Sequence, residues 1–183
     1  MNPVIVAIDG EASTGKSTQA KKIAEELDFD YRDSGAYYRA LTLYLIQNNI
    51  NSNEDISQTI LDKIDLKQTF KDNKLIIYLN NEDVSDKIRG YKVSINVSSY
   101  AKKSEIRNFV YTQLRKSAKS NSLVIDGRDI GTVVFPDADF KFFLIADSKV
   151  RAERRHKQIN DKSVKLESIE KEIKTRDNTD STR

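Results

Sequence analysis

Apolar positions along this chain follow two spacings. Residues 4–8 are apolar on both parities and rich in β-branched side chains, the pattern of a strand covered on both faces, as in a parallel sheet. A glycine-bearing loop follows. Ala20, Ile23, Ala24 and Leu27 then recur at helical spacing, predicting an amphipathic helix over residues 17–27. A second strand is expected at 29–31 and a second helix at 36–47. The opening is thus strand–loop–helix–strand, an α/β signature. The middle differs. Residues 66–70, 75–80 and the stretch near Val84 read as short strands, with Asp72-Asn73 and Asn80-Asn81 as turns between them. A small antiparallel unit at about 65–90 is therefore expected, approached by a polar, helical stretch over 50–64. Beyond it the pattern predicts a helix over 104–119, core strands at 123–125 and 141–145, and a very basic helix over 148–157. A last helix over 166–176 carries Leu166, Ile169 and Ile173 on one stripe. The chain shows no internal repeat and no low-complexity tract.

Composition narrows the class. The 183 residues suit one α/β domain with a small insertion. At 38% hydrophobic and 32% charged, the chain reads as an ordinary soluble protein. A net charge of +3 helps steer an anion but does not point to nucleic acid as a partner. The absence of cysteine excludes disulfides and thiolate zinc sites. Met1 leads straight into the first strand without a basic leader, and no apolar run nears the roughly 18 residues that span a bilayer. A cytoplasmic monomer, with no membrane partner, is the expectation.

The chemistry starts at residues 10–17, Gly10-Glu11-Ala12-Ser13-Thr14-Gly15-Lys16-Ser17, which fit G-x-x-x-x-G-K-[ST] between an apolar strand and an amphipathic helix. Glycines let the backbone wrap phosphates, successive N–H groups form an anion nest, and the helix N-terminus adds partial positive charge. Lys16 would reach the β- and γ-phosphates, and the Ser17 hydroxyl would ligate Mg²⁺. The loop implies nucleotide binding but leaves the acceptor open. No N-K-x-D guanine signature is present, and the short chain leaves little room for a motor ATPase, which favours a kinase.

Three further clusters carry charge into expected loops and helices. Asp33-Ser34-Gly35-Ala36-Tyr37-Tyr38-Arg39 joins a strand to a helix: Asp33 or Ser34 suits its cap, and Arg39 could hold a phosphate bidentately or be simply solvated. Asp126-Gly127-Arg128-Asp129-Ile130-Gly131-Thr132 follows a core strand, where open α/β sheets bind ligands; its Arg–Asp neighbours could bind an anion or sugar, or neutralise each other. Arg151, Arg154, Arg155, His156 and Lys157 crowd one helix, a repulsive arrangement that an anion or a phosphoryl transition state relieves. A basic helix would also suit an RNA-binding protein without turnover; the intact Lys16 loop argues against that. His156 receives no role.

In this order and spacing the clusters resemble the bacterial cytidylate kinase family over nearly the whole chain. The resemblance rests on the P-loop, on the D-[ST]-G-x-x-Y-R segment at 33–39, on Gly127 to Ala138 (G-R-D-I-G-T-V-V-F-P-D-A) and on R-A-x-R-R at 151–155. It implies a three-layer P-loop fold with a parallel central sheet, an antiparallel β insert that binds the nucleoside monophosphate, and a helical lid. The core would comprise 1–49 and 97–183, the lid about 148–165, and the insert 50–96. It implies transfer of the γ-phosphate of ATP, with Mg²⁺, to CMP or dCMP; another acceptor such as UMP is the alternative. Gly10, Ala12, Ser13, Thr14, Gly15, Lys16, Ser17, Thr18 and Arg155 would bind the donor. Ser34, Ser98, Arg107 and Asp129 resemble readers of base or ribose; Arg39, Arg128, Arg176 and Arg183 resemble holders of the acceptor phosphate; Asp180 resembles a ribose contact. Lys16, Asp33, Arg128, Asp129 and Arg154 resemble the catalytic set, Asp33 as the acid that assists the phosphate oxygen. Glu11 stands where the family commonly has proline, and Tyr37 where it has an aliphatic residue or methionine. Members usually continue past the equivalent of Arg183 with another strand and helix.

Overall fold

A computed structural model describes residues 3–159 and 165–181 of the chain. Its centre is a four-stranded parallel sheet in the order β2-β6-β1-β7, formed by β1 (Ile5–Gly10), β2 (Asp30–Asp33), β6 (Leu123–Gly127) and β7 (Phe140–Leu144). Helix α1 (Lys16–Leu27) lies on one face, where Ala20 and Ala24 pack on Val6, Ile8, Tyr31 and Val124. The other face meets α2 (Ser34–Gln47) and α5 (Ser104–Ser117), with Leu41, Leu45, Ile106, Val110 and Leu114 buried against Ala7, Leu123 and Ile125. Burial on both faces explains why 123–125 reads as a continuous apolar run. Strand β7 differs: Phe140, Phe142 and Phe143 are half-exposed or more, and its outer edge pairs with no strand among the described residues.

Between α2 and α5 lies a second, separate sheet, antiparallel and three-stranded. It comprises β3 (Leu66–Lys71), β4 (Lys74–Leu79) and β5 (Glu82–Asp83). Asp72-Asn73 and Asn80-Asn81 turn the chain with all four residues at positive φ, as their residue types suggest. The approach is less helical than expected. Within 50–64 only α3 (Gln58–Leu61) forms, because the Asn51 backbone and side-chain amides both bond Glu54 and close a turn instead. After a short turn at Lys87–Arg89 comes an unforeseen helix, α4 (Tyr91–Tyr100), with Val93, Val97 and Tyr100 buried. The chain ends in α6 (Ser148–Ile159) and α7 (Leu166–Ser181), which pack through Ala152, Ile169 and Ile173. Among the described residues no helix is long and apolar enough to cross a membrane.

This order creates the crevice. The chain passes from β1 to β2, leaving room for β6 between them, then returns on the far side of β1 as β7. The loops after β1 and β6 therefore leave adjacent strands at their carboxyl ends, where open α/β sheets take ligands.

Candidate active site

The loop after β1 curls tightly. A Cβ on Gly10 would collide with the Leu144 carbonyl oxygen of neighbouring β7, and Gly15 sits at φ 96°, in the left-handed region. Gly15 then caps α1, its carbonyl accepting from the Thr18 and Gln19 N–H groups at 3.1 Å each, which puts the helix N-terminus on this loop. Inside the turn the Lys16 ammonium donates to the Glu11 carbonyl at 3.1 Å, and Thr14 Oγ1 donates to the same oxygen at 3.0 Å. Ser17 Oγ donates to Asp126 Oδ2 at 2.7 Å, and Tyr31 donates to Asp126 Oδ1 at 2.6 Å. Asp126, next to last in β6, is buried. Burial pushes its carboxyl up to about 7, and Asp33 nearby adds to the rise, while Lys16 opposes it. The same burial, with Asp126 and Asp33 close by, raises the Tyr31 phenol far above its usual range.

The second wall is the loop after β6. Arg128 donates to the Gly10 carbonyl at 2.8 Å. Buried Asp9 accepts from the backbone N–H of Ile130 and of Gly131, both at 2.8 Å, and so pins the wide helical turn Ile130–Val134 beneath that loop. Desolvation raises the Asp9 carboxyl, partly countered by these two bonds. Asp129 pairs with Arg107 of α5, and Tyr111 donates to the same carboxylate oxygen at 2.6 Å. The Arg–Asp neighbours thus do not neutralise each other; each has a partner elsewhere.

The third wall is the start of α2. Asp33 caps the helix by accepting from Ala36 N–H at 3.1 Å. Gln68 of β3, itself buried, clamps the Asp33 backbone with its side-chain amide at 3.0 and 2.8 Å, tying the small sheet to this turn. Arg39 donates to Ser94 Oγ at 3.1 Å and to the Ile88 carbonyl at 3.4 Å. Burial lowers its pKa, and the like charges of Arg155 and Arg89 lower it further. Three guanidinium groups therefore crowd one region, and Asp33 opposes their field at Arg39.

Helices α6 and α7 close the fourth side. Arg154 donates to the Thr14 carbonyl at 2.9 Å. Buried Arg151 joins α6 and α7 to the P-loop: it pairs with Asp177 of α7 at 2.7 Å and Glu11 at 3.1 Å, and donates to the Ala146 carbonyl at 2.9 Å. Glu11, the residue in place of proline, thereby ties the loop to α6.

These walls enclose one cavity of about 520 Å³. Of the residues expected from sequence, Ala12, Ser13, Gly15, Lys16, Ser17 and Thr18 line its P-loop end. Asp33, Ser34, Arg39, Ser98, Arg107, Arg128, Asp129 and Arg155 line the rest. Gly10, Thr14 and Arg154 stand behind the lining, in the loop and its lid contact. The side chains of Arg176 and Asp180, and the whole of Arg183, lie outside the described residues. Sequence reasoning assigned nothing to Asp126, Arg89, Gln68, Asp9 or Tyr111. Asp126 carries a usable signal, a carboxylate closing a buried apolar strand beside a P-loop. The others act through contacts distant in sequence.

An α/β sheet whose first loop is a P-loop at a helix N-terminus, with arginines lining the same cavity from five other segments, defines a P-loop phosphotransferase. The family model for cytidylate kinase matches residues 6–183, and the chain belongs to that family. It is 42% identical to a cytidylate kinase of Thermosipho melanesiensis, over 99% of this chain and 82% of that one. It is 47% identical to a cytidylate kinase of Clostridium tetani, over 98% of this chain and 79% of that one. It is also 43% identical to a bifunctional pantoate ligase/cytidylate kinase of Prochlorococcus marinus, over 98% of this chain and 36% of that one. The fold resembles a crystal structure of an uncharacterized protein from Eubacterium ventriosum, with a TM-score of 0.50 and 16% identity, over 98% of this chain and 76% of that one.

Proposed function

We propose that the protein transfers the γ-phosphoryl group of ATP in line to the 5′-phosphate of CMP or dCMP, giving ADP and CDP or dCDP. The observation that carries this reading is a single cavity with a phosphate nest at one end and crowded arginines beside an Arg–Asp pair at the other. An acceptor phosphate oxygen attacks the γ-phosphorus as the bond to the ADP oxygen breaks; no enzyme-bound intermediate is required. Catalysis is then mostly positioning and charge neutralisation.

At the donor end the P-loop amides of residues 10–18 would wrap the phosphates, with Lys16 along the β- and γ-oxygens. Ser17 and Asp126 place a hydroxyl and a carboxylate side by side, hard oxygen donors that fit Mg²⁺. Among the described residues no three His, Cys, Asp or Glu side chains gather, which suits an ion that keeps waters and takes the rest of its shell from phosphates. When bound there, Mg²⁺ would neutralise charge on the β- and γ-oxygens. Lys16, Arg154 and Arg155 would add positive charge from the protein.

At the acceptor end Arg39 and Arg128 would grip the 5′-phosphate, joined by Arg176 and Arg183, with Asp33 beside the reacting oxygen. Ser34, Ser98, Arg107 and Asp129 would read the nucleoside, and Asp180 the ribose. The unit at 50–96 would close the acceptor site against the core of 1–49 and 97–183, and a lid at about 148–165 would exclude water. The protein would act as a cytoplasmic monomer. Offering CMP, dCMP, UMP and AMP separately with ATP and Mg²⁺, and following ADP release, tests the assignment. Turnover with CMP or dCMP and far less with the others is expected; preference for UMP or AMP would overturn it.

A further inference from the structure

Tyr111 is not among the cavity-lining residues, yet it touches two of the four residues assigned to the nucleoside, Arg107 and Asp129. It lies on α5, one turn after Arg107, on the buried stripe with Ile106, Val110 and Leu114. Its hydroxyl donates to Asp129 Oδ2 at 2.6 Å and accepts from the Arg107 guanidinium. Arg107 also donates to Oδ2, so that one oxygen is filled by two donors. Among the described residues nothing bonds Oδ1, on a residue that lines the cavity. The ring is held as firmly as the hydroxyl. The Arg107 guanidinium carbon lies 5.4 Å from its centroid, and that of Arg115 lies 5.9 Å away. Arg115 in turn donates to the carbonyls of Val133 and Val134, at 2.9 and 3.0 Å, in the turn that follows Asp129. Burial and the neighbouring carboxylate push the phenol up to about 12, so the hydroxyl keeps its proton for this bond at neutral pH.

The chemistry of the two pyrimidines gives this arrangement a consequence. Cytosine presents an exocyclic amino donor beside the N3 acceptor; uracil presents a carbonyl acceptor beside an N3–H donor. A carboxylate only accepts and a guanidinium only donates. Fixed side by side, they match the cytosine edge and oppose the uracil edge. Were either free to turn, the mismatch with uracil could relax.

We propose that Tyr111 is a specificity-determining positioning residue, which by holding Asp129 through Oδ2 and Arg107 across its ring leaves Asp129 Oδ1 as the fixed acceptor for the cytosine amino group. This rests on the base-site reading above. Its role lies in discrimination; it does not touch the reacting phosphates.

Tyr111→Phe keeps the ring and its packing and removes only the hydroxyl. Loss of a hydrogen bond to a charged group predicts a KM for CMP raised about tenfold, with kcat and the KM for ATP near wild type. UMP never gained from the fixed acceptor, so the ratio of kcat/KM for CMP over UMP should fall by a similar factor. A role in folding alone would lower Tm and move both acceptors together. Asp129→Asn, measured alongside, separates the two levels of the argument. If Asp129→Asn collapses the CMP/UMP ratio while Tyr111→Phe leaves it at the wild-type value, the inference about Tyr111 is wrong and the base site stands. If Asp129→Asn also leaves the ratio unchanged, the base-site reading fails and the role of Tyr111 fails with it.

Discussion

Asp9→Asn probes how the two halves of the site are held together. The Asp9 carboxylate lies 5% exposed at the end of β1, just before the P-loop, and accepts from Ile130 and Gly131 N–H at 2.8 Å each. Asparagine has nearly the same shape but one acceptor oxygen. Its amide nitrogen must face one of the two N–H groups, leaving a buried donor opposed by a donor. Such a loss costs about 2 kcal/mol. For a chain of this size that lowers Tm by about 4–8 °C. The functional effect should be selective, because the displaced turn directly follows Arg128 and Asp129, whereas Lys16 and Ser17 rest on their own loop and helix. Steady-state kinetics with CMP varied should show kcat/KM down about 30-fold, the rate equivalent of the same free energy. ATP affinity, read by direct titration of the protein, should change less than threefold, as expected for a contact that leaves the donor loop in place. A variant that melts lower but retains wild-type kinetics for CMP would refute the claim that Asp9 sets the acceptor loop. One that loses ATP and CMP affinity equally would show that it supports the whole crevice instead.

Two further perturbations follow from buried charge. Arg151→Leu would strand Asp177 and release Glu11, so it should destabilise the protein by about 3 kcal/mol and weaken ATP binding, both readable in a melting scan with and without nucleotide. Asp126 has a folded pKa near 7 against 3.8 for the ordinary group. A raised acid binds its proton more tightly when folded, so its stabilising effect is present at low pH and lost as pH climbs from about 4 through 7. In metal-free protein Asp126→Asn should therefore gain on wild type across that window, by up to ~4 kcal/mol. A melting difference flat in pH would contradict the burial argument.

The parts legible in sequence are those whose chemistry is contiguous. The P-loop needs its residue types in one run, and β1 and β6 betray their burial by unbroken apolar character. The cap at Asp33 was visible for the same reason: its donor, the Ala36 N–H, lies three residues on. Gln68 and Asp9 were not, since their partners lie 35 and 121 or more positions away and nothing local marks a glutamine on a strand as buried. Tyr111 fell inside the helix expected over 104–119 with no role given to it; only the fold brings its hydroxyl to Asp129. Helix α4 escaped because β-branched Val93, Ile95 and Val97 suit strands, exposed Tyr91 and Ile95 blur its stripe, and Gly90 offers no side-chain cap. The approach at 50–64 erred the other way: polar residues that suit a helix surface also make local turns, and here Asn51 and Glu54 did.

The central claim is that one cavity brings the γ-phosphate of ATP to the 5′-phosphate of CMP. The most direct measurement is the fate of that phosphate when ATP labelled at the γ-position is incubated with CMP, Mg²⁺ and either wild-type protein or Lys16→Ala. The account predicts label in the β-position of CDP with wild type, little free labelled phosphate, and a rate lower by at least about a hundredfold in the variant, whose main phosphate-neutralising side chain is gone. Label released as inorganic phosphate at the same rate with or without CMP would contradict it, for the site would then be a hydrolase. Equal transfer by Lys16→Ala would contradict it as well.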